Sequence, residues 1–233
     1  MKRQPILKFM KHLKALDRPV FTTREAAGLS GKSISAATQA LNFLEREGFV
    51  FRAHRGVWAQ IEKNNISPYT LVPYLFPRHR AYVSFISALH LYGIIEQIPQ
   101  VVTLASTAHT RTVRTKLGVF SVHTIAPDFF RGFDWYKGTG AFLIAEPEKA
   151  LVDSLYLSGR RKKQFGFFPE LNFSKSFSFK RTGYWAGKIP DSRIRSFVKE
   201  KLRILVGKGS ISCSRALSEQ KEHSIDTGVE QSH

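Results

Sequence analysis

Lys32, Ser35, Gln39, Asn42 and Arg46 are spaced so that, on a helix, all five fall on the side away from Ile34 and Leu41. Their common chemistry is hydrogen-bond donation. Lys and Arg suit phosphate oxygens, and Gln and Asn can pair bidentately with adenine, at about 1–3 kcal/mol of discrimination per good pair. Gln39 and Asn42 are therefore the candidates for base edges, and Lys32 with Ser33, at the start of the helix, for phosphates. Farther along, Arg52, His54 and Arg55 sit where a basic turn could reach a nucleic-acid backbone or minor groove. Polar residues on a helix face are more often simply solvated, so the weight of this reading has to come from elsewhere.

Charge supplies that weight. The chain of 233 residues holds 36 Lys and Arg against 18 Asp and Glu, a formal +18 that an acidic polymer would neutralise. The surplus is uneven: residues 1–62 carry 11 basic and 5 acidic side chains and residues 160–208 carry 14 and 3, around a middle with 9 and 6. Double-stranded DNA is the expected partner. No apolar run reaches membrane-spanning length and no signal-peptide pattern opens the chain, so no membrane partner and a cytoplasmic location are expected. The single cysteine, Cys213, offers neither an internal disulfide nor a cysteine zinc site.

The elements that would position these side chains follow from periodicity and caps. Ile6, Phe9, Met10, Leu13 and Leu16 recur at three and four and predict a helix over residues 5–16, broken by Arg18-Pro19-Val20-Phe21. Thr22 or Thr23 can cap a short second helix that Gly28 ends. Ser33 can cap a third, with Ile34, Ala37, Leu41 and Leu44 as its apolar stripe and Gly48 as its stop. Residues 49–59 then read as two short strands around the basic turn. Three helices and a hairpin in about 60 residues have the size of a winged helix-turn-helix, whose third helix enters the major groove. The expected fold is α+β, with that module over residues 1–62 and a mixed α/β C-terminal domain.

Asn64, Asn65, Pro68, Pro73 and Pro77 make 63–80 a linker or strap. Residues 81–207 form the second, basic domain. Within it, Ser84 caps an apolar helix closed at Gly93, strands cover 101–105, 119–125 and 140–145, and a helix runs from Pro147 to Leu157. Asp191 caps a last helix with Ile194, Phe197, Val198, Leu202 and Leu205 on one face, and 208–233 reads as a disordered tail. Arg160, Arg161, Lys162 and Lys163, with Lys180 and Arg181, are a second candidate phosphate-binding patch or a solvated surface. The Phe residues interleaved with them, from Phe165 to Phe179, could stack on bases, but a chain with 19 Phe must bury most of them.

For catalysis, His90, His109, His123, Glu146, Glu148, Lys149 and Asp153 show no metal-ligand or triad spacing, and no phosphate-binding glycine loop is present. No catalytic residue, metal or cofactor is expected. Glu146, Lys149 and Asp153 recur at three and four, the spacing of a surface ion-pair ladder. A metal-dependent nuclease built on Glu146 and Asp153 is the remaining enzymatic alternative.

The stretch from Tyr82 to Pro99, with Tyr82-Val83-Ser84-Phe85-Ile86-Ser87-Ala88-Leu89 at its head, resembles the AbiEi family of antitoxins. Thr103-Leu104-Ala105-Ser106, Phe120-Ser121-Val122-His123, Glu146 to Asp153 and Pro169-Glu170-Leu171 are similar to that family's later segments and keep their order. The likeness runs from about residue 5 to 206; nothing from Gly209 onward matches. It implies a prokaryotic type IV toxin–antitoxin or phage-defence component whose winged helix represses its own operon at inverted repeats. Its second domain would counter a nucleotidyltransferase-like toxin, with no stable complex between the two implied and no catalytic residue carried over. A plain transcriptional regulator without a toxin shares the DNA chemistry and is the alternative.

Overall fold

The computed structural model describes residues 3–62, 66–138, 140–160, 165 and 170–223, of which 3–5, 7 and 208–223 are described by their backbone alone. The first helix, α1 (Arg3–Lys14), buries Ile6, Phe9 and Leu13 at the expected spacing. The segment anticipated as a simple break contains a strand, β1 (Val20–Thr22), whose three residues are too few to show a period. Thr22 then caps α2 (Thr23–Ser30) with a reciprocal arrangement: its hydroxyl accepts from Glu25 N, and Glu25 Oε2 accepts from Thr22 N at 2.7 Å. The helix ends at Gly31, in the left-handed conformation at φ 63°, and not at Gly28.

Ser33 caps α3 (Ile34–Arg46) by accepting from Ala36 N at 3.2 Å. The buried stripe of α3 is Ala37, Ala40, Leu41 and Leu44; Ile34, expected in that stripe, is half exposed in the first turn. Two strands follow, β2 (Val50–His54) and β3 (Val57–Gln60). Among the described residues they form a three-stranded antiparallel sheet with β1, in the order β1-β3-β2. As the middle strand, β3 is buried along its whole length. One side of the sheet supplies Phe21, Val50 and Trp58 to a core with the three helices, while Val20, Ala53, Val57 and Ala59 join the core of the rest of the chain.

That second core surrounds a mixed sheet, in the order β6-β7-β5-β4-β9-β8. Its strands are β4 (Ala81–Val83), β5 (Val102–Ser106), β6 (Arg111–Thr115), β7 (Gly118–Thr124), β8 (Phe133–Trp135) and β9 (Leu143–Ala145). β4 runs antiparallel to β5 at the centre and parallel to β9, and β5 runs parallel to β7, so a parallel pair flanks the central antiparallel one on each side and each edge closes with an antiparallel pair. The short helix α5 (Phe85–Leu91) and α6 (Pro147–Gly159) pack together, and α7 (Phe179–Gly187) and α8 (Ser192–His223) pack on α6. Enclosed in this way, α6 is buried from Glu148 to Leu157, a helix covered all round. Asp191 begins α8 as expected, its Oδ1 accepting from Ile194 N at 3.0 Å, but the helix continues through His223, past the anticipated start of a disordered tail at 208.

The strap is structured too. A 3-10 turn (Pro68–Leu71) leads into α4 (Val72–Leu75), and Leu71, Val72, Leu75 and Phe76 enter the larger core. Tyr74 donates to Val20 O at 3.4 Å, and Lys116 N donates to Ala53 O at 3.3 Å. The two modules are therefore docked through the outer side of the small sheet.

Candidate nucleic-acid interface

The buried stripe of α3 fixes what faces outward. Lys32, Ser33, Ser35, Gln39 and Arg46 are exposed and Asn42 is half buried, so the proposed face is solvent-facing as a set. Gln39, Asn42, Phe43 and Arg46 line one shallow recess on the surface of α3. Ser33 is committed to the cap, which leaves its backbone and the neighbouring Lys32 at the positive end of the helix.

Asn42 is less independent than its position suggests. Its Oδ1 accepts from Arg52 Nη2 at 2.8 Å across to β2, leaving only the NH2 group to face outward. Bidentate pairing with adenine needs both amide atoms, so it requires Arg52 to let go; as placed, Asn42 and Arg52 act as one donor unit. Arg52 is held on three sides, its guanidinium also lying 4.8 Å from the Trp58 ring and its backbone N donating to Glu45 Oε1 at 2.8 Å. That backbone hydrogen bond, with Lys116 beside it, draws the Glu45 carboxyl below its ordinary pKa. At the turn between β2 and β3, Arg55 is exposed and His54 half buried.

One part of this surface was not anticipated. The hairpin of β6 and β7 brings exposed Arg114 and Lys116 beside the turn, and together with Arg52, Ala53, His54, Arg55 and Thr115 they line an open recess. Lys116 Nζ lies 3.4 Å from Glu45 Oε1, tying α3, β2 and the second module into one edge. The local signal for the hairpin was alternation from Arg111 to Thr115 ahead of Gly118; its position beside the turn depends on how the modules dock.

The second candidate patch does not assemble as a set. Arg160 donates to Tyr156 OH at 3.3 Å, Lys180 is exposed, and Arg161, Lys162 and Lys163 lie outside the described residues. Arg181 is bidentate to Glu146, at 2.7 and 2.8 Å, and Trp185 Nε1 donates to the same carboxylate at 3.0 Å. Phe173, Phe177 and Phe179 pack on one another, with centroids 4.6–5.3 Å apart, and Phe165 is buried against Phe85 and His123.

The residues expected to form a surface ladder do not. Lys149 and Asp153 have no exposure and pair with each other in the core. Tyr82 OH and Ser84 Oγ donate to Asp153 Oδ2 at 3.0 and 2.8 Å, Lys149 Nζ also reaches Tyr82 OH at 3.2 Å, and the ammonium lies 3.8 Å from the Phe129 ring centroid. Ser84, expected to cap α5, makes no side-chain cap and spends its hydroxyl on Asp153 instead. Burial works against both charges, pushing Lys149 down and Asp153 up, while each ion opposes the other's shift. Glu148, buried, accepts from Ser178 N at 2.9 Å. Thus α6 anchors β4 through Lys149 and Asp153, and α7 through Glu146 and Glu148. With Asp153 enclosed by these donors, it and Glu146 form no metal pair; among the described residues no cluster of three or more His, Cys, Asp or Glu is placed to hold a metal ion.

Glu146 yields a pH prediction. The hydrogen bond from Arg181 leads in lowering its pKa, burial opposes, and Trp185 adds to the lowering. A depressed carboxyl stabilises the fold above its unfolded pKa and loses that contribution as pH falls through the folded value. Because the pair is partly exposed, Glu146→Gln is expected to cost less than about 1 kcal/mol at neutral pH. The difference from the parent should shrink once pH falls below the ordinary carboxylate pKa of about 4.3 and vanish as it passes the lower folded value, as read by urea unfolding at stepped pH.

Compared with models of known protein families the chain matches none, and none of the curated proteins matches it.

Proposed function

We propose that the chain is a DNA-binding antitoxin that represses its own operon and counteracts a nucleotidyltransferase-like toxin. The observation that carries the DNA part is the division of α3. Its one side is buried, and Lys32, Ser35, Gln39, Asn42 and Arg46 fill the other, next to Arg52 and Arg55. The order of α1, β1, α2, α3, β2 and β3, with the sheet order β1-β3-β2, supports reading residues 1–62 as a winged helix-turn-helix. In that geometry α3 enters the major groove and the β2–β3 turn follows the backbone. Arg114 and Lys116 extend the phosphate-binding edge onto the second module. The antitoxin part rests on the sequence resemblance.

The test is a fluorescence-anisotropy titration against the DNA upstream of the chain's own gene and against a scrambled duplex, at two salt concentrations. A preference of about tenfold or more for its own DNA is expected, equivalent to roughly 1.4 kcal/mol. Gln39→Ala with Asn42→Ala should erase that preference while leaving salt-sensitive binding in place. Arg114→Ala should weaken both duplexes alike and lower the slope of log affinity on log salt by about 1. Equal binding of the two duplexes by the parent would discard the autorepressor reading. Co-expression with the product of the neighbouring gene tests the second half: rescue of growth is the antitoxin outcome, and a harmless neighbour leaves a plain regulator.

A further inference from the structure

The seam between the modules holds a half-open cavity of about 830 Å³, within the size range of sites that hold small organic ligands. One wall is a column of three rings: Tyr69 and Phe142 stack at 5.2 Å, and Phe142 and Tyr136 at 4.8 Å, both with planes 21° apart. Arg18 also lines the cavity and is the only charged residue among the described residues that do so. Its guanidinium is held in place, Nη2 by Glu25 Oε1 at 2.9 Å and Nη1 by Tyr74 OH at 3.4 Å. The other oxygen of Glu25 is spent on the Thr22 cap, accepting from both its N and its hydroxyl. Glu25 balances the charge of Arg18, and the guanidinium keeps donors beyond the two spent on Glu25 and Tyr74.

We propose that this cavity is a binding site for a small planar aromatic anion. Its ring lies along the Tyr69–Phe142–Tyr136 column, and its carboxylate, sulfonate or phosphate group accepts from Arg18. Contact along the ring edges of the column supplies the apolar part of recognition, and a charge-assisted hydrogen bond from Arg18 supplies the selection for an anion. The site is separate from the α3 face, and its test contains no DNA.

The probe is anilinonaphthalene sulfonate, titrated by fluorescence into the full chain and compared with uncharged phenylnaphthylamine. Saturable binding of one sulfonate per chain is expected, tighter than that of the uncharged analogue. Ala141→Trp, at an exposed lining position, fills the cavity from its mouth and should weaken both probes by tenfold or more. Arg18→Gln should weaken the sulfonate by about tenfold and change the uncharged analogue by less than twofold. Thermal melts confirm that both variants are folded. Sulfonate binding unchanged by Ala141→Trp, or both probes shifted equally by Arg18→Gln, would overturn the assignment.

Discussion

Lys149→Met is expected to destabilise the chain by about 3–5 kcal/mol, because it leaves the carboxylate of Asp153 enclosed without its counter-ion. The hydroxyls of Tyr82 and Ser84 still donate to that carboxylate, but neither carries the positive charge that offsets its lost hydration. The orphaned Asp153 loses the lowering influence of Lys149, so its folded pKa rises still further above its unfolded value. The penalty should grow as pH rises above about 4 and shrink as pH falls towards it, the same direction as the loss expected for Glu146→Gln. Urea unfolding at neutral and mildly acid pH reads both effects. Lys149→Met combined with Asp153→Leu, Tyr82→Phe and Ser84→Ala should recover most of the loss, since it removes both charges together with the two hydroxyls that donate to Asp153. A single variant within about 1 kcal/mol of the parent at neutral pH would show that Lys149 and Asp153 are both uncharged in the core.

The second large effect is at Gly132, in the loop before β8. Its φ of +77° lies in the left-handed region, and an added Cβ would sit 2.7 Å from the Trp185 ring and 3.1 Å from Lys149 Cγ. Gly132→Ala therefore combines about 1–2 kcal/mol of backbone strain with about 1–3 kcal/mol of overpacking, or roughly 2–5 kcal/mol together. Trp185 cannot move aside cheaply, because its Nε1 is bonded to Glu146. Gly48→Ala is the control: φ is +79° there, but nothing lies within 4 Å of the added Cβ, so only the backbone part is expected. Equal losses for the two variants would mean that Trp185 gives way freely.

Both effects converge on α6, the element whose sequence was read least well. Glu146, Lys149 and Asp153 have the spacing of a surface ladder, and spacing alone does not say which side of a helix is covered. The intervening residues do: Ala150-Leu151-Val152 and Leu155-Tyr156-Leu157 leave no polar side on that helix. A helix apolar all round must be enclosed, and its charges must be paired inside. By contrast, α1 and α3 were legible because their apolar stripes are long and their stops are local. The caps at Thr22, Ser33 and Asp191 were legible for the same reason. Strands β1, β4 and β8, three residues each, offer too little alternation to see, and α7 lies in a run of Phe, Lys and Gly that shows no clear stripe. Of the candidate interface, the α3 side chains were readable from one helix. The contact between Asn42 and Arg52 and the approach of Arg114 to the turn depend on pairings between distant segments.

The order of the larger sheet has a consequence for crowded solutions. Its two outer strands, β6 and β8, are the places where another chain could add by backbone hydrogen bonding. β8 offers only three residues, one of them Asp134, and β6 turns Arg111 and Arg114 to solvent. A short edge and a like-charged edge both disfavour accretion of copies into fibres, so the charge that suits a polyanion also keeps the sheets of neighbouring molecules apart.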